Sequence, residues 1–269
     1  MKIFEGKLIL TDLDGTYLFD DHHISKENRE AAAYFMENGG LFTIATGRSK
    51  AGMEHFFPEL VINAPAILYN GSVIHDFIRK ADVLDTCVGE SGFQLYKSLE
   101  KQFPQIGIEV YGNHTPYVAQ DNFWTRRHFQ NVKMPWNPCP AEEIPHPWLS
   151  MVVTGESDVL PQVAAFLETR FAGQFFVQYS SPHMLEIMHP AANKGTAAKH
   201  LWELLGIAPE NVYVAGDGPN DRQLLQSAFH SCAPADACSE ILSIARHILP
   251  EYKQHAIAHL IHRMEKGTL

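Results

Sequence analysis

Four short apolar runs along the chain each stop abruptly at a polar position. Residues 7–10 run into Thr11 and Asp12, 41–45 into Thr46, 66–69 into Asn70, and 212–215 into Gly216 and Asp217. Runs this short and this uniformly apolar read as strands buried on both faces, and strands of that kind are parallel and covered by helices. The stretch between the first two has helical spacing. Ser25 can cap a helix over 25–38, Ala31, Tyr34 and Phe35 share a face, and Gly39-Gly40 ends it. Strand, helix, strand in that order predicts an α/β fold with a doubly wound, mostly parallel sheet. In such sheets ligands bind beyond the carboxyl ends of the strands, where Asp12, Thr46, Asn70 and Asp217 all fall.

Between about 81 and 189 the order changes. Residues 84–88 are strand-like, 90–103 helical, and 106–111 and 117–120 strand-like, with a helix over 122–130. Past a proline-rich stretch at 135–147 the order recurs: strand at 149–154, helix at 158–171, strands at 175–179 and 184–188. Two β-α-β-β units side by side suggest an antiparallel sheet with helices on one face. The segment 81–189 therefore reads as an α+β domain inserted into a core made of 1–80 and 190–269. From 190 onward the parallel grammar resumes, with helices over 194–205, 220–227 and 239–248 and strands over 211–217 and 230–233.

Composition narrows the function classes. The 269 residues are 45% hydrophobic, with 21 Lys plus Arg against 31 Asp plus Glu, a formal charge of −10. That supports a real core and argues against wrapping nucleic acid or lying on anionic lipid. No run approaches eighteen apolar residues and the first residues contain no apolar signal core, so the expectation is a soluble cytoplasmic protein. The four cysteines contain no C-x-x-C pair and read as thiols, which leaves redox and zinc chemistry without a constellation.

The strongest local signal is Asp12-Leu13-Asp14-Gly15-Thr16 directly after a buried strand. Two carboxylates one residue apart repel, so a site that keeps both is expected to hold a cation or a proton. The plainer alternative is a loop aspartate capping the next turn. Gly216-Asp217-Gly218-Pro219-Asn220-Asp221 supplies two more carboxylates across a tight turn, hard oxygen ligands suited to Mg²⁺, or else an ordinary turn and helix cap. Thr46-Gly47-Arg48 offers a hydroxyl and an accessible amide to a phosphoryl oxygen. Lys194 at a helix start could place a compact positive charge on the same group, although lysines there are more often solvated. Arg126, in Trp124-Thr125-Arg126-Arg127-His128, could read a second anionic group. His255, His259 and His262 have one-face spacing but read as a solvated helix surface, and Phe56 and Phe57 as core packing.

Together these pieces resemble the four motifs of the haloacid dehalogenase superfamily of phosphotransferases, in order and spacing. The resemblance is to the Cof-type branch (subclass IIB), whose α/β cap lies between the second and third motifs; Tyr69-Asn70-Gly71-Ser72 and Leu185-Glu186-Ile187 are similar to that branch too. It implies Asp12 as nucleophile, Asp14 as general acid/base, and Thr46, Gly47, Lys194 and Asn220 around the phosphate. Mg²⁺ would be held by Asp12, Asp217 and the Asp14 carbonyl, with Asp221 in the outer shell. Arg48, Asn70, Gly71 and Arg126 are further substrate-binding candidates. The implied activity is Mg²⁺-dependent hydrolysis of small phosphorylated metabolites, such as sugar or cofactor-related phosphates, by a monomer or homodimer. A phosphosugar mutase and a non-catalytic phospho-ligand sensor are the alternatives. Two departures stand out: Tyr17 where a small aliphatic residue is common, and Ala235-Asp236, whose extra carboxylate could alter substrate preference.

Overall fold

The computed structural model describes residues 2–19, 23–53, 56 and 58–269; Phe57 lies outside them. Before the insert the chain forms strand β1 (Leu8–Thr11), helix α1 (Lys26–Glu37), strand β2 (Leu41–Ile44), the short helix α2 (Lys50–Met53) and strands β3 (Ala66–Leu68), β4 (Val73–Asp76) and β5 (Ala81–Asp85). The following segment forms helix α3 (Gly89–Gln102), strands β6 (Gly107–Gly112) and β7 (Thr115–Gln120), helix α4 (Phe123–Val132), strand β8 (Trp148–Thr154), helix α5 (Leu160–Arg170) and strands β9 (Phe176–Ser181) and β10 (Met184–Met188). Then come α6 (Lys194–Leu204), β11 (Val212–Ala215), α7 (Arg222–Ser227), β12 (His230–Pro234), α8 (Ser239–Ile244), β13 (His247–Leu249) and α9 (Ala256–Lys266).

The chain divides into two compact units, one of residues 1–47, 54–84 and 193–269, the other of 48–53 and 85–192. The first is built on a five-stranded parallel sheet in the order β13-β12-β11-β1-β2. Ser25 caps α1 by accepting from the Asn28 amide, and Asn193 caps α6 through the Thr196 amide. One sheet face, carrying Leu8, Leu10, Val212 and Val214, packs against Ala198 and Leu201 of α6, Leu224 of α7 and Ile241 of α8. Ile9 points the other way by strand alternation and is equally buried. Thr11 lies level with Ala215 on one side and Ile44 on the other, so the strands end in one row.

The second unit carries a five-stranded antiparallel sheet in the order β7-β6-β8-β10-β9. Ile108, Val110, Met151, Val153, Leu185 and Ile187 bury one face of it beneath Leu95 and Leu99 of α3 and Val163 of α5.

Several expectations change. The strand expected at 84–88 forms at Ala81–Asp85 and joins β3 and β4 in a separate three-stranded sheet, so residues 81–84 group with the first unit and the second sheet has five strands. Arg48, expected in the core, groups with the second unit. The helix over 239–248 stops at Ile244 because His247–Leu249 adds an edge strand beside β12. His255 precedes α9 in a left-handed conformation and stacks on Phe19, while His259 and His262 are exposed. Phe56 is buried. No described helix is long and apolar enough to cross a membrane.

Candidate active site

The row of strand ends gathers the acidic segments. The Asp12 amide donates to the Ala215 carbonyl at 2.8 Å, carrying the β1–β11 ladder one residue past the strands. Asp12, Asp217 and Asp221 each present a carboxylate oxygen within 4.8 Å of the others. Lys194, the first residue of α6, is wholly buried, and its Nζ donates to Asp12 Oδ1 and to Asp221 Oδ1, both at 2.6 Å. The ordinary reading of a helix-start lysine, a solvated side chain, does not hold for it.

Asp221 has both carboxylate oxygens engaged. Oδ1 takes the ammonium, while Oδ2 accepts from the backbone N–H groups of Asp217 (3.0 Å) and Gly218 (3.1 Å). It therefore ties the lysine to the turn that carries Asp217. The Thr16 hydroxyl donates to Asp217 Oδ1 at 2.7 Å and joins the two acidic segments directly. Gly15 is required between them: its φ is +75°, and a Cβ there would lie 2.5 Å from Asp217 Oδ2. Asp14, one residue earlier, is exposed at the edge of the cluster.

Thr46 and Asn70 form the adjoining wall. Thr46 is buried and its carbonyl accepts from the Asn70 amide at 3.0 Å. Tyr69 and Asn70 both hold positive φ in the turn after β3, a strained conformation of the sort kept at functional sites. Asn220 Nδ2 donates to Asn70 Oδ1 at 3.0 Å, so the segments after the third and fourth apolar runs meet through side-chain amides. Gly47 cannot carry a Cβ without meeting Asn70 Nδ2 at 2.8 Å, and Gly71, with φ +104°, would meet the Asn193 carbonyl at 2.3 Å. Asp12, Thr46, Gly47, Asn70, Gly71, Lys194, Asp217, Asn220 and Asp221 all fall in the first unit.

Two expected contributors are engaged elsewhere. Arg126 is two-thirds exposed and its guanidinium pairs with Asp121, with Nε 2.9 Å from Oδ2. Asp236 accepts from the Tyr252 amide at 3.2 Å and anchors the turn before α9, which accounts for that departure as structure. Thr16 was not singled out as a site residue, although its place closing the Asp12–Thr16 run was the available signal. In the second unit the buried Glu109–His128 pair was missed as well; the signal was a lone carboxylate inside the apolar strand Ile108-Glu109-Val110.

The electrostatics follow from crowding acids away from water. Burial first, and the neighbouring Asp221 second, push the Asp12 carboxyl well above the usual carboxylate range; Lys194 pulls it down, and Asp217 and Asp14 add to the rise. Asp217 is pushed up to about 7 by burial and then by Asp221, against the Thr16 hydrogen bond and Lys194. Burial disfavours the Lys194 ammonium, but Asp12 and Asp221 outweigh it and hold that lysine above its ordinary range. One ammonium thus faces more carboxylate charge than it can balance. A divalent cation with hard oxygen preference fits such a donor set, and Asp12 with Asp217 are the carboxylates best placed to hold it, since both Asp221 oxygens are engaged.

A model of haloacid dehalogenase-like hydrolases matches residues 9–261. The YxeH protein of Bacillus subtilis strain 168 is 27% identical over 96% of this chain and 98% of its own. The 5-amino-6-(5-phospho-D-ribitylamino)uracil phosphatase YwtE of the same organism is 25% identical over 97% of this chain and 99% of its own. Among solved structures, a haloacid dehalogenase-like hydrolase from Bacteroides thetaiotaomicron superposes with a TM-score of 0.86 at 23% identity, covering 96% of this chain and 99% of that one.

Proposed function

The chain belongs to the haloacid dehalogenase-like hydrolases, in the Cof-type branch, and from that premise we propose that it hydrolyses small phosphorylated metabolites through an aspartyl-phosphate on Asp12. It is a hydrolase of phosphoric monoesters. The observation that carries the finer reading is Lys194, buried between Asp12 and Asp221, in a cluster whose third carboxylate is Asp217.

A dianionic ester repels an anionic nucleophile, so the site must neutralise the phosphoryl oxygens while Asp12 is held in line with the leaving oxygen. Lys194 supplies one positive charge there, and the Thr46 hydroxyl, the Gly47 amide and the Asn220 side chain complete the cradle. Mg²⁺, bound by Asp12, Asp217 and the Asp14 carbonyl, would supply further charge neutralisation at the transferred group. Asp12 attacks phosphorus, the ester oxygen departs and takes a proton from Asp14, and the enzyme carries the phosphoryl group. Asp14 then removes a proton from water, which attacks phosphorus and frees inorganic phosphate and the Asp12 carboxylate. Asp14 stands at the exposed edge of the cluster, open to solvent as a group serving both half-reactions has to be.

The insert is assigned the choice of leaving group, and Arg48, Asn70 and Gly71 the boundary of the phosphate site. YwtE, similar over nearly its whole length, acts on a phosphorylated ribityl compound, which supports a small, polar substrate. Phosphate release from a metabolite panel, with and without Mg²⁺, tests the reading in wild type and Asp12→Asn. Release is expected to need Mg²⁺ and to fall to background in the variant; turnover at the wild-type rate in Asp12→Asn refutes it.

A further inference from the structure

Asp12 and Asp14 are held by different means. Asp12 is fixed by the sheet, through its amide on the Ala215 carbonyl. Asp14 lies past that ladder, on a strap that leaves β1 and has to return to α1. The Thr16 hydroxyl ties the near side of the strap to Asp217. On the far side the backbone is the link. Leu18 is bridged both to Asp14 and to Ile24, and its amide donates to the Leu13 carbonyl at 2.7 Å. Leu18 and Ile24 are both buried, so whatever fixes Ile24 also fixes Leu18, and through Leu18 the backbone of Asp14.

Two residues from distant parts of the chain grip this far side. The Ile24 amide donates to Glu59 Oε2 at 2.9 Å, across 35 residues. His255, just before α9, reaches the strap twice. Its Nδ1 lies 3.0 Å from the Ser25 hydroxyl oxygen, and its ring stacks on Phe19 with centroids 5.7 Å apart and planes at 19°. Tyr252, from the same turn, meets the Phe19 ring edge-on at 6.0 Å. To do this His255 holds φ at +61°, a conformation that costs a non-glycine residue free energy and persists where its surroundings over-determine it. All of these residues belong to the first unit.

A proton carrier that serves both half-reactions has to meet the leaving oxygen and then water from one place, and a misplacement of about 1 Å costs about a hundredfold. We propose that Glu59 and His255 are positioning residues for Asp14, holding the general acid/base in place beside Asp12 through Ile24, Phe19 and Leu18. This rests on the phosphatase reading above and deepens it.

The leaving group separates proton donation from other losses. p-Nitrophenolate departs without a proton, whereas an alkoxide needs one. The test therefore compares kcat/KM, which reports the steps up to formation of the aspartyl-phosphate, for p-nitrophenyl phosphate and β-glycerol phosphate at saturating Mg²⁺. Glu59→Leu removes the acceptor for the Ile24 amide, and His255→Asn removes the ring while tolerating the left-handed backbone. Both are expected to lower kcat/KM for β-glycerol phosphate by about tenfold, part of the 10²–10⁴ that a positioned proton carrier contributes. The value for p-nitrophenyl phosphate should stay near wild type. Glu59→Gln, whose amide oxygen still accepts from Ile24, should keep both. Asp14→Asn is the benchmark and should show the same discrimination between the esters, only larger. A merely structural role lowers both esters alike. Equal losses, or none, in Glu59→Leu and His255→Asn while Asp14→Asn discriminates overturn the proposal and leave the phosphatase reading intact. If wild type hydrolyses neither ester, that reading fails by itself, and exchange of the Leu18 amide decides the anchoring: it should quicken about tenfold in Glu59→Leu and not in Glu59→Gln, and unchanged exchange overturns it.

Discussion

Asp221→Asn is nearly isosteric, yet the hydrogen bonds predict a large effect on stability. The carboxylate accepts from Lys194 at one oxygen and from the Asp217 and Gly218 amides at the other. An amide offers one acceptor and one NH₂ donor. If its oxygen faces the backbone, its NH₂ meets the Lys194 ammonium; if it faces the lysine, its NH₂ meets two N–H donors. Either orientation places donor against donor in a fully buried site. Breaking one side of a buried pair costs about 3–5 kcal/mol. Relief of the Asp221 charge, which raises both Asp12 and Asp217, returns part of that and leaves a net loss of about 2–3 kcal/mol. Asp12→Asn gives the contrast. Asp12 is destabilised as an anion by burial and three acidic neighbours, and Lys194 keeps Asp221 when Asp12 is neutralised, so the loss should stay within about 1 kcal/mol. Urea denaturation at pH 7 in EDTA measures both. A loss in Asp12→Asn equal to or larger than that in Asp221→Asn refutes the reasoning.

Chelation is expected to abolish phosphate release and Mg²⁺ to restore it. Saturating Mg²⁺ at 100 times Kd should stabilise the fold by about 2.7 kcal/mol, and Asp217→Asn should remove that gain in a thermal melt. His128 is held above its ordinary value of about 6.5 in the folded state. Its contribution is therefore complete below that pH and lost as pH rises through the folded value, so the stability gap between wild type and His128→Gln should narrow between pH 6 and 9; a gap that widens contradicts the pairing. Tyr17 buries a hydroxyl that finds no partner among the described residues, against Phe42. Tyr17→Phe should raise stability by about 1 kcal/mol in the same denaturation assay.

Much of the site was legible because parallel strands announce themselves as uniform apolar runs and their ends are marked by the first polar residue. Asp12, Thr46 and Asp217 could be placed on one sheet edge before any coordinates, since that inference needs strand direction and nothing about side chains, whereas Asn70 follows β3, which pairs antiparallel with β4 in a separate sheet and reaches the main strands through the Ala45–Ile67 bridge. Lys194 was harder. Nothing local distinguishes a buried ammonium from a solvated one at a helix start, and only convergence of three segments of the chain buries it. The pairing of Arg126 was hidden for the complementary reason: its partner Asp121 stands five residues away, and a surface pair at that spacing leaves no pattern. Edge strand β13 escaped, and β5 was placed three residues too late, because three- to five-residue segments with mixed burial carry too little periodicity to outweigh the neighbouring pattern.

The electrostatics also assign separate work to residues that look interchangeable. A nucleophilic carboxylate has to be ionised, and burial, Asp221, Asp217 and Asp14 all drive Asp12 toward protonation. Among the side chains acting on it, Lys194 alone works in the opposite direction. That lysine would be free to choose any of the neighbouring acids were Asp221 not fixed by two backbone amides. Asp221 therefore never needs to touch the substrate to matter: it holds the ammonium where one proton serves Asp12, while the same charge is available to a phosphoryl oxygen. The cost is a third buried carboxylate, which raises the repulsion on Asp12 and Asp217 alike. A cluster selected for stability alone would discard that charge only together with Lys194 and the other carboxylates, for well-packed apolar residues. One selected to keep an aspartate ionised beside a phosphate dianion needs it, because a lysine without a second anchor would follow the incoming dianion and leave the nucleophile to its acidic neighbours.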